Sequence, residues 1–520
     1  MRLLIVIVIL IQVVFPLIRM FSKVTPEAAK QVFRSEQFLP MLRNSLVSTT
    51  LATIVSVTIA FLMAWLIYRT NIRHKTTLSV IMTIPMLVPS IAHGMGLTIL
   101  LGDNGFLTNL TGINIHLFGL TGIIIGSTLY AFPAAFLMFS NAFQYEDYTA
   151  YEAGQVLGLT KWQQFCGITM ANFKKPLISA VATTFTTIFT DYGVPLAVGG
   201  KMVTLPVFMY REVVGLLEYS TGGILGLLLL VPAIIAFIVD LANKEESTSG
   251  VVAKPYIIQE NRARDRIAVI CCTVMSILIV IPIFTFLILT FINRYPVDLS
   301  LTFNNIRQSL GYGIVGFLLN SLFISLAAAL AGTAASYITA YFTARSGKHF
   351  SSQMLHLISL LSLSVPGMVL GLAYVVAFHG SFIYGTFLIL IMVNVTHFWG
   401  SPYLMAYNSF LKYDKNIEDV SKSLGIGGLS LLKDVYFPSM YGTILQMFEY
   451  IFVNSMVTIS AVSFLANFKN KPLALLIPQF DSQAAFGSIA FVAIIILSVN
   501  VLAKLAIHFI KQHFIKKGEI

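Results

Sequence analysis

The chain has 520 residues, of which 57% are hydrophobic and only 11% charged, too few to cover a water-facing surface, since a soluble domain carries about 25%. With a mean hydropathy of +0.83, lipid rather than water must solvate most of its outside. The net charge of +11 does not point to nucleic acid, because the basic residues sit in short loops between apolar runs and no basic patch interleaves with aromatics.

Residues 3–18 follow Met1-Arg2 and are almost wholly apolar. No A-x-A-like site follows, so they read as an uncleaved first membrane helix and not as a signal peptide. Further apolar runs fall near 45–68, 77–101, 118–142, 176–199 and 220–241. The polar stretch 243–266 is the one good boundary. A second set follows at 267–292, 315–343, 353–377, 384–408, 441–466 and 485–510. Most exceed the ~20 residues needed to cross the hydrocarbon core. The expected fold is therefore an all-α polytopic membrane protein of about twelve spans. Residues 1–242 form a first six-helix unit, 243–266 a cytoplasmic linker and 267–520 a second unit.

Basic loops set the expected orientation. Arg69, Arg73 and Lys75 follow the second span, and Arg345 and Lys348 the eighth. Lys511, Lys516 and Lys517 lie in the C-terminal tail, whereas 102–117 and 378–383 carry no Lys or Arg. Both termini and the linker then face the cytoplasm. One loop resists this count, because 19–43 carries five basic residues yet falls outside. Cys166 lies in a polar loop and Cys271 and Cys272 in an apolar run, with no spacing for a disulfide framework or a cysteine metal site.

The halves repeat. Asn44-Ser45-Leu46 recurs as Asn320-Ser321-Leu322, and Arg69 recurs as Arg345, both 276 positions on. Val88-Pro89 and Gly94 recur as Val365-Pro366 and Gly371, 277 positions on. Each unit has an even number of spans, so the copies insert in one orientation with room for a pathway between them.

The loop after the fourth span repeats too. Thr149 with Glu152 and Thr160 with Gln163 read as capping boxes, and Gly158 suits the left-handed residue that ends a helix. The pattern is a short helix, a glycine turn and a second helix. It returns 267 positions later with Asn416, Asp419, Gly425 and Gly427 in place of Thr149, Glu152, Gly158 and Thr160. Ten residues after each turn glycine stands a β-branched residue, Ile168 or Val435.

Glu152-Ala153-Gly154, Gly158 and Ile168 resemble the signature loop of permease subunits of binding-protein-dependent ABC importers, an E-A-A run, Gly and then Ile-x-Leu-Pro. Gly154 replaces the second alanine, and Met170-Ala171 stand where Leu-Pro is usual. Asp419, Gly425, Val435 and Pro438 resemble the same pattern more loosely, with Val420 and Ser421 in place of both alanines. The resemblance covers nearly the whole chain and implies two type I permease units in tandem. It also implies that each loop is a coupling helix docked on an ATP-binding subunit. The expected partners are two ATP-binding cassette subunits, an extracytoplasmic solute-binding protein and the bilayer of a bacterial inner membrane. No cofactor is expected on this chain, and ATP and Mg are expected on the partner subunits. The chain contains no G-x-x-x-x-G-K-[ST] phosphate loop, H-E-x-x-H, C-x-x-C or G-x-S-x-G site, so it is expected to be a transport subunit and not an enzyme.

Charged and polar side chains inside spans are functional suspects. The candidates for a translocation path are Asp191 and Tyr192 near the end of the fifth span, with Glu449, Asn454, Ser455 and Thr458 on the eleventh. Asp191 aligns with Thr458 at the 267 offset. Asp191 reads as a helix-breaking bend, as path lining or as one of a buried structural pair. Glu449 reads as a packing or a gating group, and His93 and His397 as packing residues ahead of ligands. Thr190–Pro195 with Gly199-Gly200, and 455–465, resemble fused permeases of the 2-aminoethylphosphonate and iron(III) group. That resemblance places a phosphonate ahead of iron(III), with polyamine or thiamine behind. The rival readings are an ATP-independent twelve-helix secondary transporter and a membrane enzyme or scaffold.

Overall fold

The computed structural model describes residues 2–243, 254–345, 350–414 and 416–516. Lys348, Lys517 and the linker stretch 244–253 lie outside the described residues. Six helices are long and apolar enough to cross a membrane, and up to ten spans result if each of four bent pairs counts as one. The one sheet among the described residues is a small antiparallel hairpin, Ile292–Arg294 with Asp298–Leu301, which an all-α expectation leaves out.

Several runs expected to be continuous are broken. Within 77–101 the chain bends by 100° before Ser90, and within 353–377 by 107° before Gly367. The repeated Val-Pro is the cause. Proline disfavours helical backbone in the residue before it, and Val88 and Val365 are accordingly extended at φ −124° and −94°. The run 384–408 bends by 52° between Phe398 and Gly400. The run 176–199 stops at Phe189 and restarts at Gly193, and 441–466 stops at Val457.

The chain forms two compact units. One comprises 36–208 with 231–288; the other comprises 1–35, 209–230 and 289–520. They interleave in sequence, unlike the contiguous halves 1–242 and 267–520. In the first unit the helix Arg262–Thr290 packs on Ser90–Leu101, where a Cβ on Gly96 would lie 2.9 Å from the carbonyl oxygen of Pro282. In the second, Phe15–Phe21 packs on Gly367–Phe378, with Phe15 6.1 Å from Phe378. The opening helix of each sequence half therefore covers the bent helix of the other half.

Both units are built around a 31-residue helix, Phe38–Tyr68 or Ile314–Ala344. Each buries small residues, such as Ser45, Ala52 and Ala60 or Ser325, Ala328 and Gly332. Large ones such as Ile54, Leu62, Leu319 and Leu330 stay exposed. Small residues let backbones approach where lipid removes the hydrophobic drive for association.

The repeated motifs make equivalent contacts. The Ser45 hydroxyl accepts from the Leu205 amide at 2.7 Å, and the Ser321 hydroxyl from the Leu473 amide at 2.7 Å. Asn44 donates to the Val203 carbonyl, and Asn320 to those of Lys469 and Lys471. A Cβ on Gly94 would lie 3.2 Å from the Val194 carbonyl oxygen, and one on Gly371 2.6 Å from that of Ala461. Val194 and Ala461 correspond at the 267 offset, so both glycines admit the same short segment against the bent helix.

Candidate functional site: two helix–turn–helix loops

Thr149–Val156 and Ile417–Ser423 are short helices, each followed by a turn and a second helix, Lys161–Gln164 or Gly428–Leu431. Gly158 and Gly425 close the first helices at φ +71° and +69°, as expected for left-handed residues. The chain-reversing bonds match, with Leu159 donating to the Gly154 carbonyl and Ile426 to that of Ser421, both at 2.9 Å. The Thr160–Gln163 capping box is present, and Gly427 takes the same cap position without a side chain.

The expected caps at Thr149 and Asn416 are corrected. Neither side chain caps its helix. Asp147 accepts from the Thr149 amide at 3.0 Å, and Asp414 from the Asn416 amide at 2.9 Å. These aspartates also correspond at the 267 offset, a signal available in the sequence and missed there. Glu152 is not held by a capping bond but pairs with Lys254 of the linker, and Asp419 pairs with Lys422 at 3.0 Å.

Each second helix runs into a single π-helical turn, Phe165–Thr169 or Leu432–Tyr436. Ile168 and Val435 lie in these turns. A Cβ on Gly154 would lie 3.2 Å from the Ile168 side chain, so the small residue lets the two limbs close. Ser421, at the matching position, is buried and donates to the Ile426 carbonyl. Ala153, Val420 and Pro438 are exposed. The outer face is apolar, with Val156 89%, Leu157 77% and Trp162 71% exposed in one loop, and Val420 56%, Leu424 68% and Leu429 65% in the other.

The inner face is ionic. Arg69 ends the helix Phe38–Tyr68, donates to the Phe143 carbonyl and pairs with buried Glu146. Tyr151 donates to Glu146 at 2.5 Å and shares a 2.7 Å bond with Thr169. Tyr256 from the linker lies over Arg69, its ring centroid 3.5 Å from the guanidinium carbon. Burial draws the Arg69 guanidinium down to about 10. Arg345 ends Ile314–Ala344, donates to the Phe410 carbonyl and grips Glu418 through two bonds of 2.6 and 2.5 Å. Tyr436 donates to Glu418 at 2.7 Å. The bonds that Arg345 donates to Glu418 raise its pKa despite burial. Burial pushes the Glu418 carboxyl up, but the bonds from Arg345 and Tyr436 outweigh it and hold it below the usual range. In the sequence both arginines served as topology and repeat markers, and their ionic partners were missed.

A model of the family described as "Binding-protein-dependent transport system inner membrane component" matches residues 56–243 and again 332–516. The chain belongs to this family. The permease is similar to the ferric transport system permease protein FbpB of Actinobacillus pleuropneumoniae, 25% identical over 518 residues, 93% of this chain and 74% of the relative. It is also similar to the putative ferric transport system permease protein FbpB 1 of Haemophilus influenzae, at 24% over 85% of this chain and 72% of the relative. The sulfate transport system permease protein CysT of Escherichia coli is 25% identical over 33% of this chain and 63% of its own. The permease is thus an integral inner-membrane transport subunit built of two tandem family units.

Its polar span residues divide between the units. In one, Thr190 ends a helix, and Asp191 starts the next by accepting from the amides of Gly193 at 3.3 Å and Val194 at 2.9 Å. Asp191 is therefore the bend, and it also lines a small cavity with Ser45, Ser48, Thr49 and Thr204 and with apolar residues such as Ile123 and Ile188. Tyr192 is fully buried beside it in sequence. In the other unit Glu449 pairs with Lys504 at 2.9 Å. Asn454 donates to the Tyr450 carbonyl of its own helix, Ser455 is buried, and Thr458 is the extended residue that ends the helix. His93 is buried beside Tyr130 at 5.9 Å, and half-buried His397 lies beside Phe398 at 4.6 Å.

Proposed function

We propose that this permease carries ferric ion, or a small ferric complex, inward across the inner membrane by alternating access. Two separate ATP-binding subunits drive it, and an extracytoplasmic binding protein loads it. The observation that carries this reading is the pair of loops with matching turns, π-turns and arginine anchors, each presenting exposed apolar residues on a rigid base. Such knobs suit sockets on a partner, because large apolar side chains left in water mark interaction surfaces. Both loops and both termini would face the cytoplasm, where ATP is. Closure of the two ATP-binding subunits would move the loops and rock the attached helices.

Iron(III) stands ahead of 2-aminoethylphosphonate as cargo, reversing the order expected from sequence. Two relatives that each align with most of the chain bear ferric names. The test is import of ⁵⁵Fe(III) into proteoliposomes holding the permease, its co-purified ATP-binding subunits and a ferric-binding solute-binding protein from the same cells. Uptake should need ATP inside the assay compartment that faces the loops. Equal uptake without ATP would favour a secondary transporter. ATP-dependent uptake of 2-aminoethylphosphonate but not of iron would restore the first cargo order.

A further inference from the structure

We propose that Arg69 and Arg345 are linchpins through which the two loops move the long helices behind them, and that Tyr256 of the linker is a working part of the first linchpin. The proposal rests on the transport reading above and adds named positioning residues to it.

Each arginine joins three pieces of its own unit. It ends the 31-residue helix, donates to the last turn of the helix before the loop at Phe143 or Phe410, and grips a glutamate bonded to a tyrosine of the loop. Motion imposed on the loop reaches the long helix through this joint.

The two joints are wired differently. Positions 146 and 413, 151 and 418, and 169 and 436 correspond at the 267 offset. They hold Glu and Tyr, Tyr and Glu, and Thr and Tyr. The acid stands five positions further along in the second copy, yet it still meets the corresponding arginine and still accepts from a phenol hydroxyl. A carboxylate serving only as surface charge would not need to remain within reach of that arginine. Arg69 and Glu146 are deeply buried, with side-chain exposure of 5% and 3%, and the Arg345 side chain is buried at 4% against a partly exposed Glu418 at 16%. Apolar packing would stabilise such a position as well or better, so retention of charge points to a fixed geometry.

The surroundings of the two guanidinium groups also differ. Arg345 donates to the carbonyls of Tyr413 and Asp414 at 2.9 and 2.5 Å. Over Arg69 lies the Tyr256 ring, itself edge-on to Tyr148 and Tyr151 at 5.2 and 5.1 Å. Stacking of a guanidinium on an aromatic face is attractive and directional. The linker is held in register there, because the Tyr148 amide donates to the Lys254 carbonyl at 2.9 Å and Lys254 pairs with Glu152. The segment joining the halves is thus built into one loop.

The test uses the full chain with its ATP-binding subunits in nanodiscs, and reads the ATP-dependent change in amide exchange at residues 60–69 and 336–345. This readout needs no identified cargo. In the paired variant Arg69→Met/Glu146→Leu, which leaves no buried charge alone, the ATP-dependent change at 60–69 should fall about fivefold. The change at 336–345 should stay, and the ATP-binding subunits should remain bound. Tyr256→Ala should lower the response at 60–69 only. Carrying the second wiring into the first copy (Glu146→Tyr, Tyr151→Glu and Thr169→Tyr) should keep the response, whereas Glu146→Tyr alone should lose it. If the paired variant does not fold, Arg69→Lys, which keeps the charge but not the fork, gives the same comparison. A merely structural role would raise exchange with and without ATP alike. An undiminished ATP response in the paired variant overturns the proposal. A wild-type chain that captures no ATP-binding subunit overturns the transport reading, and this proposal with it.

Discussion

Gly158 and Gly425 have open space where a side chain would begin, so their backbone conformation alone demands glycine. Gly158→Ala should cost about 1 kcal/mol through left-handed strain without any clash. Amide exchange across 149–164 should quicken about fivefold, and unchanged protection would show that the turn is not held at that φ. Glu418 gives a pH signature. Its folded pKa is depressed, so its contribution is present above the ordinary glutamate pKa and disappears as pH falls through the lower folded value. Protection across 417–424, taken relative to the intrinsic exchange rate at each pH, should therefore fall on acidification below about pH 4.5, and Glu418→Gln should flatten that fall. A pH-independent profile in the native protein would contradict the Arg345 grip. The glycine turns and the Thr160 box were legible because their physics is local. The Asp147 and Asp414 acceptors were hidden behind a plausible Thr–Glu box. The glutamates escaped because they occupy different positions in the two copies, and only the fold shows that they reach corresponding arginines.

Helical elements were legible as apolar runs, but their breaks were only partly so. Hydropathy does not register a Val-Pro bend or an Asp-Tyr-Gly stop when the flanking residues stay apolar, so five runs read as single spans are interrupted. The repeated glycines beyond the Val-Pro bends carry the packing consequence. A Cβ on Gly371 would lie 2.6 Å from the Ala461 carbonyl oxygen, and one on Gly94 2.6 Å from the Ala197 Cβ. Both contacts lie between buried segments that cannot step aside cheaply. Gly371→Ala should destabilise the unit by about 1–3 kcal/mol, seen as a lower melting temperature in detergent. A variant as stable as the native protein would mean that the bent helix has room the structure does not show.

At the scale of the molecule, the internal repeat and the family could both be read from short motifs at near-constant offsets. The exchange of opening helices could not, because nothing in a sequence of apolar residues says which half a membrane helix will cover. That exchange makes each unit depend on both halves of the chain, and the fused chain provides both in one molecule. The cargo was the weakest sequence reading, since it rested only on the short stretches 190–195, 199–200 and 455–465. The most direct test of the twin-loop reading is the number of ATP-binding subunits held by the purified permease, measured by native mass spectrometry. We expect two on the native chain, one after Val156→Asp/Leu157→Asp, one after Val420→Asp/Leu424→Asp, and none when all four changes are combined. Two subunits retained by the fourfold variant would contradict it.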